Sequence, residues 1–350
     1  MTIFTTMPMD RSVEPARRNL NLHYPKGFNF SLKTKHEKVG VNQKEVSNIP
    51  FSLPFNLIFY KPQIIISGNM GPTSLVSMLA AKILRIPFVI WTEEISTSAK
   101  NLSWLQKLFR FILLPRTTAF LTWGLPAKNY MLQKEIPREK LHYCAQAIDN
   151  EWWINSARAN SSKIIKSQMK LSGRVFLMVG QLISRKGFDK ILEAWSGLDQ
   201  NIQEQNHIII VGEGEDEYYL KQIAQSNSIP NIIFAGQKNQ DDLSEIFSAS
   251  DILIFPSLVD VWGMVVNEAM ASGLPVLASK YAGSSQELIT YPKYGEIIDP
   301  LDRHSLTQVL GKWINHELPN PEIIRQRIQE INFDLTVASF AEVIEKHAKT

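Results

Sequence analysis

Two carboxylates, Asp260 and Glu268, stand eight positions apart in the segment PSLVDVWGMVVNEAMASGLPVLAS, residues 256–279. Trp262, Gly263 and an apolar run lie between them, and Gly-Leu-Pro with a second apolar run follows. Gly263 permits a tight turn and close approach of backbone to a ligand, and the run from Met264 to Ser272 reads as a helix starting there. The first N–H groups of such a helix lack partners and carry the positive end of its dipole, which suits a phosphate. Glu268 lies just over one turn inside, on a face that still reaches the same ligand. Carboxylate, amide donors, carboxylate is the order of parts that a nucleotide sugar asks for. Its sugar and ribose hydroxyls donate to the acids, and its diphosphate meets the helix end. Acids near helix starts also act as caps and dipole partners, so the pair is decided by its surroundings.

Those surroundings are short apolar runs that end in Gly, Pro or small polar residues: RVFLMVG, HIIIVG, NIIFAG, DILIFP and PVLAS. None alternates strictly, as expected of strands buried on both faces of a parallel sheet. Helical stretches over 187–195, 215–226, 240–249 and 264–272 separate them, so βαβ units and a doubly wound sheet are expected. The first half repeats the theme. Strands are expected at 63–67, 87–92, 118–123 and 141–146, and helices at 72–84, 102–114 and 125–134. Residues 7–50 read as a polar, irregular loop with short elements. The domain boundary is placed after Asp149, near NSARANSS at 155–162, giving domains 1–150 and 151–333. Ligands of facing doubly wound sheets bind between the carboxyl ends of their strands, so the loops after the strands are the places to look.

A chain of 350 residues has room for two domains. Residues 1–150 carry 19 Lys+Arg against 9 Asp+Glu, and residues 151–350 carry 18 against 25. This opposition supports two units with different partners. The basic half could face anionic lipid, an anionic acceptor or nucleic acid. The single Cys144 excludes an internal disulfide, and no Cys/His cluster suggests zinc. With no signal pattern and no run of membrane-spanning length, a cytoplasmic location is expected, with the inner face of the membrane as the alternative.

From Val175 to Asp299 the chain resembles the C-terminal domain of retaining glycosyltransferases of family 4, which have the GT-B fold of two Rossmann-like domains. The words that carry the likeness are MVGQLISRKGFDKILEAW, IIIVGEGEDEYYL, IIFAGQKNQDDLSEIFSASDILIFPS and VWGMVVNEAMASGLPVLAS, in family order. The family's Glu-x7-Glu pattern falls on Asp260 and Glu268. The resemblance implies that Asp260 contacts the donor sugar and Glu268 the ribose, with the amides of Gly263, Met264 and Val265 on sugar and phosphate beside Trp262. Lys186 matches the lysine that meets the diphosphate. Gly180 opens that loop, and Gln181 stands at the family's arginine position, with Arg185 as a neighbouring cation. Gly212 and Gly214 resemble the glycine loop beside the nucleotide, and Gly236 and Gln237 the loop that meets the base.

The first half resembles the polysaccharide-biosynthesis branch of that family more loosely, through TTMPMDRSVEPARRN, YKPQIIISGNMGPTSLVSMLAAK and IPREKLHYCAQAIDNEWW. Many members begin with a strand and a glycine-rich loop before the segment matching TIFTT, so an N-terminal domain without that strand, or a start further upstream, is expected. Glu93 stands nearest the position where many members have a His that aids catalysis, so the resemblance implies that this aid is absent here or supplied by the Glu93 carboxylate. Gly68, Asn69 and Gly71 form a further loop able to meet donor or acceptor. The segment at 101–116 mixes aromatic, aliphatic and basic residues. It reads as an ordinary helix on the sheet, with a membrane surface as the alternative. The final helix, 334–350, is expected to pack back on the first domain.

The resemblance implies transfer of a sugar from a UDP- or GDP-sugar to a glycan or polyprenyl- or other lipid-linked acceptor, with retention, in surface polysaccharide or glycolipid synthesis. Neither a metal nor a cofactor is implied, and nucleic acid is not an expected partner. Two alternatives share the fold: a non-catalytic partner subunit, and a nucleotide-sugar epimerase.

Overall fold

The computed structural model of the chain describes residues 2–4, 21–23, 26, 28–36 and 41–348. The segment TTMPMDRSVEPARRN, at 5–19, lies outside them. Two compact units emerge: unit 1 holds residues 1–123, 127–144 and 337–350, and unit 2 holds 124–126 and 145–336.

Unit 1 begins with a parallel pair, β1 (Thr2–Phe4) and β2 (Asn21–His23), and an antiparallel hairpin, β3 (Phe28–His36) and β4 (Val41–Ile49). The irregular loop expected over 7–50 is therefore largely strand from Asn21 on. Next come α1 (Leu53–Tyr60), β5 (Ile65–Gly68), α2 (Pro72–Leu84), β6 (Phe88–Thr92), α3 (Trp104–Leu113), β7 (Ala119–Trp123), α4 (Leu125–Gln133) and β8 (Leu141–Cys144). Strands β5 to β8 form one parallel sheet in chain order. Without a reversal of order, right-handed crossovers stack every connecting helix on one face. Side chains alternate across a strand, and the two faces are covered differently. Ile65, Phe88, Ile90, Phe120 and Leu141 pack with residues of α1 to α4. Val89, Ala119, Leu121 and Cys144 face the other way and are covered by Val343 and Phe340 of the last helix. Trp91 stacks edge-on against Phe340, with ring centroids 5.5 Å apart.

Unit 2 runs α5 (Asn150–Ala159), α6 (Ser162–Gln168), β9 (Val175–Val179), α7 (Phe188–Trp195), α8 (Gln200–Gln205), β10 (His207–Val211), α9 (Glu217–Ser226), β11 (Ile232–Gly236), α10 (Gln240–Ala249), β12 (Ile252–Phe255), α11 (Met264–Ser272), β13 (Val276–Ser279), α12 (Gly283–Leu288), β14 (Gly295–Ile298), α13 (Arg303–Asn315) and α14 (Pro321–Gln329). The last helix, α15 (Phe333–His347), belongs to unit 1 from Val337 onward. The six strands are parallel in the order β11-β10-β9-β12-β13-β14. Chain order reverses between β9 and β12. That is the doubly wound arrangement, and its crevice lies at the reversal.

The division falls at residues 144/145, ahead of the boundary read from the polar stretch at 155–162. That stretch is helical and anchored. Trp153 is buried edge-on against Phe247 of α10. Asn150 donates to the carbonyls of Ile328 (3.0 Å) and Ile331 (2.8 Å), and Lys166 binds Asp251 at 2.8 Å. Polar composition here marks the outer faces of α5 and α6.

Candidate functional site at the order reversal of unit 2

The loops that leave β9 and β12 are neighbours because the sheet reverses between those strands. The first carries Arg185 and Lys186, and the second carries Asp260. Gly187, with φ +69°, lets the loops close: a Cβ there would stand 2.4 Å from the carbonyl oxygen of Pro256. The backbone fixes the approach further, since the Leu258 N–H donates to the Arg185 carbonyl at 2.8 Å. Lys186 thereby meets Asp260, with Nζ 2.6 Å from Oδ2, while Arg185 lies 3.8 Å from the same oxygen and donates to the Val259 carbonyl at 3.2 Å. The Lys186 ammonium also sits 5.3 Å from the centre of the Phe255 ring.

Helix α11 starts at this point. Gly263 takes φ +98°, and any Cβ would stand 2.4 Å from ring carbons of Phe255, so glycine is required on both counts. No side chain caps the helix. Its first donors, at Met264 and Val265, are left to a ligand or water. Glu268 is half-buried on the second turn and has no hydrogen-bond or ion-pair partner among the described residues. Burial pushes its carboxyl up to about 7. A half-buried carboxyl without a partner, next to uncapped amides, is able to accept from hydroxyls brought to it.

The side chain of Trp262 is placed otherwise than on the donor side. It is buried, and its Nε1 donates to Asn267 Oδ1 at 2.8 Å, while Asn267 Nδ2 donates to the Gln146 carbonyl at 2.8 Å. The turn at Gly263 rotates this ring into the interior, where it fixes α11 instead of touching solvent. Asn267 is thus a positioning residue that the sequence did not signal, since an Asn inside an apolar helix face has no pattern of its own. Asp260 is tied to the next connection as well, because its carbonyl accepts from Gly283 N–H at 3.2 Å.

The glycines of the β10 loop serve the backbone. A Cβ on Gly212 would stand 1.9 Å from the Gly180 carbonyl oxygen, and one on Gly214 would stand 2.3 Å from that of Leu182. These residues let the β9 and β10 loops lie side by side: Gly180 N–H donates to Val211 and Gly212 N–H to the Gly236 carbonyl, at 3.0 and 2.9 Å. Gly236 has φ +68° with open space around it, and Gln181 and Gln237 are exposed.

The remaining candidates lie in unit 1. Gly68 and Asn69 are exposed at the end of β5, and Gly71 starts α2. Neither glycine meets any atom within 4 Å of an added Cβ, so their small size is not a packing need. Asn69 takes φ +62°, and its N–H donates to the Trp91 carbonyl at 2.8 Å. Glu93 is half-buried after β6. Its neighbour Glu94 is buried and accepts from Arg110 Nε at 2.9 and 3.0 Å. That pair lines a cavity of about 300 Å³ with Tyr130, Lys107 and Lys134. Burial, with Glu94 adding to it and Arg110 opposing, pushes the Tyr130 phenol up to about 12. Among the described residues, no group of acidic, His or Cys side chains is placed to hold a metal ion.

The parallel order β11-β10-β9-β12-β13-β14 makes unit 2 a Rossmann-like doubly wound domain, a class whose ligands bind in the crevice at the reversal. Residues 161–331, which lie in unit 2, match the model of the family described as glycosyl transferases group 1. Mannosylfructose-phosphate synthase of Agrobacterium fabrum is 27% identical over 237 residues, covering 65% of this chain and 52% of the relative. The lipopolysaccharide glucosyltransferase WaaG of Escherichia coli is 27% identical over 147 residues, covering 42% of this chain and 39% of its own. The chain thus spans about half or less of these relatives. Among solved structures, HepE of Anabaena in complex with UDP superposes with a TM-score of 0.71 at 17% identity, covering 96% of this chain and 87% of that one. WaaG superposes with a TM-score of 0.63 at 17% identity, covering 93% and 86%. The fold is the two-domain α/β architecture of these GT-B glycosyltransferase neighbours.

Proposed function

We propose that the chain is a retaining glycosyltransferase that moves a sugar from a nucleotide-diphosphate sugar to a glycan or lipid-linked acceptor, in surface polysaccharide or glycolipid synthesis. The observation that carries this reading is the convergence, at one sheet reversal, of Lys186, Asp260, the uncapped start of α11 and the unpartnered carboxyl of Glu268. The relatives and neighbours support it, because several are named for sugar transfer, and HepE was solved with UDP, with UDP and glucose, and with UDP-glucose.

In this reading the donor diphosphate takes Lys186 from Asp260 and lies against the amides of Gly263, Met264 and Val265. Asp260, released from its cation, accepts from hydroxyls of the donor sugar and holds it in reacting geometry. Glu268 accepts from the ribose hydroxyls, and its charge is supplied when the donor's hydroxyls replace its missing partners. The bond from the anomeric carbon to the phosphate oxygen breaks while the bond to the acceptor oxygen forms. Negative charge growing on the departing diphosphate is held by Lys186, with Arg185 nearby, and by the helix start. The acceptor proton passes to the departing phosphate oxygen, on the face from which the acceptor arrives, and configuration is retained. The resident chemistry is the protein's own. UDP- or GDP-sugars are substrates, and the reading calls for neither metal nor cofactor. Glu93 and the loop at Gly68, Asn69 and Gly71 are assigned to the acceptor side.

The test is incubation of the protein with UDP- and GDP-sugars and extracts containing acceptors, following nucleotide-diphosphate release and the anomeric configuration of the product by NMR. Acceptor-dependent release with a retained product is expected. Epimerised sugar without acceptor, or no turnover with any donor, would contradict the assignment.

A further inference from the structure

The outer surface of the helical layer of unit 1 is unusual for a protein exposed to water. Phe55 and Phe59 of α1 are 74% and 81% exposed, and Trp104 and Phe111 of α3 are 76% and 77% exposed. Leu79 and Ile83 of α2, which packs against both neighbours, are exposed as well. Each set follows helical spacing, so each helix turns one apolar stripe to the sheet and a second stripe outward. On α3 the inward stripe is Phe109 and Leu113. The ordinary packed helix expected over 101–116 accounts for that stripe alone. Exposed apolar stripes on three helices packed side by side mark a surface that is covered in use.

Charge decides what covers it. Between residues 49 and 117, Lys61, Lys82, Arg85, Lys100, Lys107 and Arg116 are exposed. The only acids in that span are Glu93, half-buried, and Glu94, buried against Arg110. The span therefore offers six exposed cations and no exposed carboxylate. A second copy of the chain seated on this face would bring like charges together. Aromatic side chains interspersed with cations suit the headgroup region of an anionic bilayer, where the rings enter the acyl boundary and the cations meet lipid phosphates. Among the described residues no helix is long and apolar enough to cross a membrane, so contact of this kind lies along the surface.

We propose that the outer face of α1, α2 and α3 docks unit 1 onto an anionic lipid bilayer. This rests on unit 1 alone and stands or falls separately from the sugar-transfer reading of unit 2.

Flotation of the full chain with two vesicle preparations tests it, one of phosphatidylcholine and one of phosphatidylcholine mixed with phosphatidylglycerol. The bound fraction should be at least about ten-fold higher on the anionic vesicles and should fall as salt rises. The variants Phe55→Ser/Phe59→Ser and Trp104→Ser/Phe111→Ser should each lose about ten-fold in binding, because each removes two large apolar anchors from the contact. Their thermal melts should stay unchanged, and Tyr218→Ser, an exposed aromatic of unit 2, should bind as the parent does. Absence of binding, equal binding to both vesicles, or unaltered binding by the patch variants would overturn the proposal. So would a dimer in ultracentrifugation that the patch variants dissociate, which would assign the face to a second copy.

Discussion

Lys186 and Asp260 neutralise one another in the structure, and this pairing separates a structural from a functional role. The Asp260 side chain is only 12% exposed, so Lys186→Met leaves a largely buried carboxylate to Arg185, at 3.8 Å, and should cost about 1–3 kcal/mol of stability. The double variant Lys186→Met/Asp260→Asn should recover most of that in a denaturant melt while leaving donor turnover abolished. Recovery of turnover along with stability would reduce the pair to a scaffold. Glu268 makes a prediction about pH. Its folded value of about 7 lies above the ordinary carboxyl value of 4.5. Between those values the folded state therefore holds a proton that the unfolded state has lost. The contribution of this group to stability is accordingly full below about 4.5 and declines as pH rises through 7. Glu268→Gln should remove that decline in melts run from pH 5 to 8. If the ionised form receives the ribose, donor affinity of the parent should tighten across the same range, and the variant should bind weakly with no such slope. The acid pair was legible because both residues fall within one stretch beside a glycine. The partner of Asp260 was legible only as a family position, because 74 residues separate Lys186 from it. The role of Trp262 was misread: nothing in the local sequence says that the turn at Gly263 points the ring inward.

At the scale of elements, the glycine loops divide into those required by the fold and those left open. Gly212→Ala should destabilise by about 2–4 kcal/mol, since strain at φ +135° adds to a clash with the Gly180 carbonyl. Gly68→Ala meets open space and should leave the thermal melt unchanged, while a ligand seated on that loop would register the substitution as lost acceptor turnover. Strands β9, β10, β12 and β13 were legible because burial on both faces writes them as unbroken apolar runs. Helices α2, α10 and α11 were read with the bounds the structure gives them. The hairpin β3–β4 was missed. Phe28, Phe30 and Leu32 alternate with polar residues, but the partner strand Val41–Ile49 is mostly polar and hides the period. The expected domain boundary falls on helices α5 and α6 because their polar faces outnumber the few anchors, Trp153 and Ile154 foremost, that bury them.

At the scale of the molecule, both units build a parallel sheet, but their order differs, and the difference places the candidate site. Unit 2 reverses its strand order and opens a crevice there, while the chain-ordered sheet β5 to β8 of unit 1 leaves one face for α15 to cover. Val343→Asp, which puts a charge into that fully buried contact, should destabilise unit 1 by about 3–5 kcal/mol. A melt identical to the parent would show that α15 is dispensable. The strand order could not be read from composition, because it depends on which strands become neighbours, and the cover by the last helix was expected only through the family resemblance. The central claim is that the reversal of unit 2 holds a nucleotide-diphosphate sugar, and calorimetric titration of the parent and of Lys186→Ala with UDP, GDP and their sugars tests it most directly. The account predicts saturable one-to-one binding of at least one of these ligands to the parent and a loss of at least about ten-fold in Lys186→Ala, the weight of one charge-assisted contact to phosphate. Absence of binding by all of them, or equal affinity in the variant, would contradict it.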